Sequence, residues 1–271
     1  MLELFNYSFF QQAFLAGILT AVVCGIIGSF IVIKKISFIS GSIAHSSFGG
    51  LGIAYFLGFN PVIGAFIFSI ISALSIGIIN KKNKYQEDAI IGAVWAIGMA
   101  IGLFFIYLTP GYASDLFGYL FGNILLVSTF DLWTILLIDI IVVFSTIIFF
   151  KWFVAIIFDE EFAKVTGINT FAFYLFLLVL ISISIVALMK AVGIILVIAL
   201  LTLPAAAAQL LTKNFKNMIC LAIIFALVFN ILGIFMSYYI NMPSGPIIIF
   251  IAGLTYLAIW WPNNWKKTIL N

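Results

Sequence analysis

Apolar residues along this chain neither alternate nor keep to one helical face; they run in continuous blocks cut by short polar punctuation. A helix needs about 20 predominantly apolar residues to cross the hydrocarbon core of a bilayer. Cutting at the polar breaks leaves nine candidate segments, roughly 10–33, 39–57, 62–79, 89–108, 131–150, 170–189, 191–211, 217–239 and 246–261. Each predicts a helix, because only helices and closed barrels satisfy their backbone in lipid and these runs lack the alternation of barrel strands. The boundary at Lys190 rests on length alone, since 170–211 is almost continuous. The stretch 109–130 is too long for a turn, and its apolar part, Leu116–Val127, is too short to cross. It predicts an external or re-entrant helix packed against the bundle, where irregular backbone is shielded by protein. The expected fold is all-α: a polytopic membrane helix bundle forming a single transmembrane domain over residues 1–271.

Composition agrees. Of 271 residues, 65% are hydrophobic and 8% charged, against about 25% charged in soluble domains. That excludes a soluble globule, a disordered chain and a nucleic-acid binder, and a net charge of +3 spread over small lysine groups is no polyanion footprint. Cys24 and Cys220 sit in apolar runs without a CxxC, so neither a disulfide framework nor a zinc cluster is supported. Met1-Leu2-Glu3-Leu4 lacks the basic region of a secretory signal, and the first apolar run is read as a retained span.

Lysine placement orients the bundle. With nine spans and the N-terminus outside, Lys34, Lys35, Lys81, Lys82, Lys84, Lys151, Lys164, Lys213, Lys216, Lys266 and Lys267 all fall on the cytoplasmic side, and only Lys190 falls outside. An asymmetry of that size places the C-terminus in the cytoplasm.

Polar residues inside spans are the candidates for chemistry, since burying them in lipid is costly. His45 is the single histidine. Helix continuing from Lys35 would carry it about 15 Å inward, near the midplane. Ser42, three residues earlier, shares its face, and Gly41, Gly49, Gly50 and Gly52 permit close packing or an open backbone. Either a hydrogen-bonded packing residue or a pathway ligand fits. Asp139 sits mid-span with no sequence-visible partner and an unknown role. Asn230 and Gln209 read more simply as interhelical hydrogen-bonding groups.

The segment Phe158-Asp159-Glu160-Glu161-Phe162-Ala163-Lys164-Val165-Thr166-Gly167-Ile168 has an acidic first turn, apolar anchors at Phe162 and Val165, and a glycine where a helix would stop. Three consecutive acids on a lysine-rich face predict a short amphipathic helix that docks on a partner.

Four stretches together carry a resemblance. These are Ser42-Ile43-Ala44-His45-Ser46-Ser47; the Phe158–Gly167 loop, similar to "FDxEFAxxxG"; Gly193–Ala208, similar to "GxLLVxALLxxPAATA"; and Asn241-Met242-Pro243-Ser244-Gly245-Pro246, similar to "DxPSG". In order and spacing the chain resembles the membrane permease of the zinc, manganese and iron ABC importers. The resemblance implies a homodimeric permease in the cytoplasmic (inner) membrane, a cytoplasmic ABC ATPase, and an extracellular or periplasmic metal-binding protein that delivers the ion. It makes 158–168 the coupling helix, with Phe158, Asp159, Glu160, Glu161, Phe162, Ala163 and Gly167 serving the ATPase. It also places His45, Ser42 and Asn241 along the metal path. The chain binds no cofactor of its own: the divalent metal is cargo, and ATP belongs to the partner, since no Walker motif occurs here. Gly41 and Asn241 stand where the family often has aspartate, which removes two hard ligands from the path. The rival class is an ion-coupled secondary transporter using His45 or Asp139. An intramembrane hydrolase built on Ser42 or Ser46 beside His45 would lack any GxSxG or HExxH support.

Overall fold

The computed structural model describes residues 6–82, 87–110, 118–120 and 122–269. Among them the regular structure is helical throughout. The helices are α1 (Ser8–Lys34), α2 (Ser37–Leu57), α3 (Pro61–Lys82), α4 (Glu87–Leu108), α5 (Thr129–Phe158), the short α6 (Glu160–Val165), α7 (Thr170–Val192), α8 (Ile194–Leu211), α9 (Phe215–Ile240) and α10 (Ser244–Ile269). Eight of the nine expected segments each fall within one long helix, and the other, 191–211, begins in the last two residues of α7 and continues through α8. Among the described residues seven helices, α1, α3, α4, α5, α7, α9 and α10, are long and apolar enough to cross a membrane. The other two have identifiable reasons for falling short. α2 is diluted by serine and glycine because its neighbours are helices rather than lipid, and the apolar part of α8 is only 16 residues long, Leu196–Leu211.

Two boundaries differ from expectation. The chain does not run on from Lys35: that residue adopts φ 60, and α2 starts afresh at Ser37. His45 therefore lies eight residues into α2, about 12 Å along it. The long apolar run breaks at Gly193, not at Lys190. Gly193 has φ 86, a conformation L side chains rarely adopt, and Lys190 remains inside the last turn of α7.

The chain divides into two compact units. One comprises Met1–Ile33, Gly118–Ile140 and Leu188–Asn271. Its axis is α1, the most buried of the spanning helices. Glycines on α1 let neighbouring backbones approach: a Cβ on Gly28 would strike the Leu201 carbonyl of α8, and one on Gly25 would strike Ile223 of α9. Pro204 leaves the Leu200 carbonyl without its usual donor, and the following Ala205, Ala207 and Ala208 are fully buried. Asn230 of α9 donates to the Gly17 carbonyl at 2.8 Å and to Thr20 Oγ1 at 2.9 Å, the interhelical bridging role expected for it. The described part of 109–130 is not one helix. Residues 118–120 are helical, Gly122 turns at φ 60 against the backbone of Val192 and Gly193, and Ile124–Leu126 forms a single 3₁₀ turn. Ser244 pins this turn, accepting from the Ile124 N–H at 3.1 Å and donating to Asn123 Oδ1 at 3.2 Å. Residues 111–117 and 121 of that expectation lie outside the described residues.

The other unit comprises Lys34–Phe117 and Ile141–Ala187. α2 packs on both α3 and α4. A Cβ on Gly50 would collide with the Gly64 carbonyl of α3, and one on Gly52 with the Gly102 carbonyl of α4; from the α4 side, one on Gly98 would strike Ser46. Phe149, Trp152 and Phe153 of α5 meet Phe173 and Phe176 of α7 in an aromatic cluster with centroids 5.5–6.4 Å apart.

The glycine contacts give a paired prediction. Gly52→Ala places a methyl on a backbone carbonyl that cannot move aside and should destabilise the unit by about 1–3 kcal/mol. Gly92→Ala, with open space around its Cβ position, should be neutral or stabilise by up to about 1 kcal/mol. Thermal unfolding in detergent distinguishes the two.

Candidate functional site

The residues singled out from the sequence fall into three places. His45 and Ser42 lie together on α2, facing α4. The His45 imidazole stacks on the Trp95 indole, with centroids 4.3 Å apart and planes at 10°. Ser42, fully buried, donates to the Ile91 carbonyl at 2.8 Å. Ile91 and Trp95 are one turn apart on α4, so this face of α2 is seated on a helix. The Ser42 proton is committed there, which leaves only weak hydroxyl lone pairs for any ion. His45 is different: its ring is half-buried and its Nδ1 is buried without a hydrogen-bond partner among the described residues. A buried polar nitrogen left unpaired is uncommon and calls for an explanation. Among the described residues no group of three or more His, Cys, Asp or Glu could hold a metal ion. The arrangement offers one nitrogen held by an aromatic face, suited to passing contact rather than retention.

Asn241 belongs to the other unit. It is the C-cap of α9, with φ 56 and ψ 40, and is exposed. Asparagine tolerates this left-handed geometry, which accounts for its presence through backbone shape. Met242 follows it and its carbonyl accepts from Ser237 Oγ.

The third place is the connection between α5 and α7. Asp159 caps α6, its Oδ1 accepting from the Phe162 N–H at 2.9 Å. At the other end Gly167 takes φ 85; its N–H reaches the Lys164 carbonyl and that of Ile168 reaches Ala163, at 3.1 and 3.0 Å. That nested pair is a Schellman motif, so a six-residue helix that would be unstable in isolation has both ends fixed. Ala163 faces inward and is fully buried, whereas Phe158, Phe162 and Val165 are 59%, 62% and 88% exposed. Glu160 pairs with Lys164 at 2.7 Å, one turn on, and with Lys34 at 3.6 Å. Lys34 also donates to the Ile156 carbonyl at 3.0 Å. The last residue of α1 thus ties the end of α5 to α6. Exposed ion pairs of this kind are each worth little; here they fix direction.

Two further polar features are structural or unassigned. Asp139 is 5% exposed and neither carboxyl oxygen has a hydrogen-bond partner among the described residues. Gln209 is exposed. The sequence missed the partner of Lys190: its ammonium lies 2.8 Å from Asp131 Oδ1, at the start of α5. Asp131 also accepts from the Ser128 N–H.

Residues 6–263 match the model of the ABC 3 transport family. The chain belongs to that family. It is 40% identical over 257 residues to an uncharacterized membrane protein of Synechocystis, covering 95% of this chain and 92% of that one. It is 37% identical over 253 residues to the manganese transport system membrane protein MntC of Listeria monocytogenes, covering 93% and 90%. Among solved structures it is similar to PsaBC from Streptococcus pneumoniae in complex with Fab. There the TM-score is 0.88 at 31% identity, over 99% of this chain and 97% of that chain. Within the family this chain is a multi-pass helical transport permease.

Proposed function

We propose that this chain is the membrane-spanning subunit of an ATP-driven importer whose cargo is a divalent transition metal, manganese foremost, with zinc and iron in the same ligand class. The observation that carries the reading is α6: a helix capped at both ends that turns Phe162 and Val165 outward in a family whose members are transport permeases. The names of relatives, a manganese transport system membrane protein among them, support the cargo. Imidazole suits these metals, and a path needs contacts weak enough to release. His45 is the residue we assign to such a contact, with Ser42 holding α2 against α4 and Asn241 shaping the end of α9.

In this reading nine helices cross the cytoplasmic membrane, with the N-terminus outside and the C-terminus inside. The lysine partition supports that orientation, and α6 then faces the cytoplasm with Lys34 and Lys164. One transmembrane domain spans the chain; two copies assemble as a homodimer, and an extracellular or periplasmic binding protein delivers the ion. A separate ABC ATPase hydrolyses ATP. Its surface receives Phe158, Phe162 and Val165, while Asp159, Ala163 and Gly167 keep the helix in shape and Glu160 and Glu161 set charge at its rim. Because only Asp159 separates α6 from the end of α5, and Lys34 pairs with Glu160 and donates to the Ile156 carbonyl, a push on α6 reaches the end of α5.

Phe162→Asp tests the coupling. It puts a carboxylate where an apolar anchor docks, and should lower ATPase co-purification and metal uptake together by tenfold or more, since an anchor residue carries about 2 kcal/mol or above. Undiminished co-purification and uptake would contradict the assignment. His45→Leu tests the path. It keeps volume and removes the nitrogen, so uptake of radiolabelled manganese should fall while expression and ATPase docking persist. Normal uptake in that variant would make His45 a packing residue on Trp95.

A further inference from the structure

The loop side of the unit that contains α2 holds a cavity of about 880 Å³. Its walls are helix ends. Lys34 closes α1, Lys81 lies at the end of α3, Asp88 at the start of α4 and Ile156 near the end of α5, while Phe171 begins α7. Where the ends of so many spanning helices meet, the cavity sits at the level of the water boundary, not in hydrocarbon.

Its chemistry is specific. Its lining includes four lysines, Lys34, Lys35, Lys81 and Lys164, and two carboxylates, Asp88 and Glu160. Glu160 is already shared between Lys34 and Lys164. Lys81 lies over the Phe171 ring at 3.8 Å, and Lys35 makes no ion pair among the described residues. The positive excess repels a free metal cation and attracts an anion with several acceptor oxygens. The rest of the lining near Lys35 is apolar: Ile36, Phe38 and Ile39, of which Phe38 is 74% exposed. A pocket of this size, lined by both lysines and apolar side chains, suits a small amphipathic ligand.

We infer that this cavity binds a phosphate group, and that its occupant is the headgroup of an anionic phospholipid. The phosphate accepts from Lys35 and Lys81, and the glycerol and first methylenes lie against Phe38 and Ile39. Lys34 and Lys164 line the same cavity and pair with Glu160, so the bound phosphate competes with Glu160 for them. That makes α6 sensitive to the lipid beside it. Basic clusters at helix ends recognise anionic headgroups in this way, at roughly 1 kcal/mol, or about fivefold, per lysine.

The test uses the purified full-length chain in nanodiscs. Spin-labelled phosphatidylglycerol and phosphatidylcholine report lipid selectivity by electron paramagnetic resonance. Wild type should select phosphatidylglycerol. Lys35→Gln with Lys81→Gln, both exposed side chains whose loss leaves the core intact, should reduce that selectivity by more than tenfold. Lys213→Gln with Lys216→Gln, the same charge change outside the cavity, should leave it near wild type. In phosphatidylcholine nanodiscs, broadening of the inorganic phosphate resonance that depends on Lys35 and Lys81, without lipid selectivity, keeps the phosphate site and gives it to the free anion. No selectivity and no phosphate broadening in wild type, or an equal fall in both double variants, overturns the inference. None of these readouts depends on metal transport, so failure here leaves the proposed function standing.

Discussion

The contact on which much of the α2 unit depends is that of bare backbone on bare backbone. Gly50 against Gly64 and Gly52 against Gly102 draw α2 onto α3 and α4 closer than any side chain allows. In lipid there is no hydrophobic force pressing helices together, since tails are as apolar as leucine, and such close approach supplies the dispersion contact instead. It also brings Ser42 within bonding distance of the Ile91 carbonyl and lays His45 on Trp95. The serines and glycines that make α2 the least lipid-like of the helices flanking it are thus the cause of the site, and the reason its hydropathy falls below that of a conventional span.

At the other end of the same unit, stiffness matters more than strength. Neither Glu160–Lys164 nor Glu160–Lys34 contributes much energy while exposed, but Asp159 and Gly167 fix where α6 begins and ends. A short helix with defined ends can transmit displacement that a loop would absorb. Lys34 links it to α1 and to the carbonyl end of α5, so charge and backbone geometry act on the same few residues.

Most of the helical framework was legible because apolar runs of this length have few alternatives. α6 could be read from Asp159, Phe162 and Gly167, since caps are local and carry residue-specific geometry. What the sequence hid was tertiary. Nothing near His45 announces Trp95, 50 residues away, and Lys190 looked like a span boundary until Gly193 took the break and Asp131 took the charge. The expected helix in 109–130 failed in its described part because Gly122 must turn against Gly193, a constraint visible only when both backbones are placed. From the residues alone the Ser42–His45 face fits either packing or a path, and only the fold shows that Ser42 is bonded to α4. The His45 Nδ1, without a hydrogen-bond partner among the described residues, is the observation that favours the path.

In the proposed function, metal moves inward when a partner's ATP hydrolysis acts through α6. Its rival is transport driven by an ion gradient, for which Asp139, buried and without a hydrogen-bond partner among the described residues, is the natural residue. The decisive measurement is radiolabelled manganese accumulation in proteoliposomes carrying this chain with its cognate ATPase and loaded binding protein. Uptake that requires ATP and survives collapse of the proton and sodium gradients is the predicted result. Uptake without ATP, abolished by ionophores, would contradict the account.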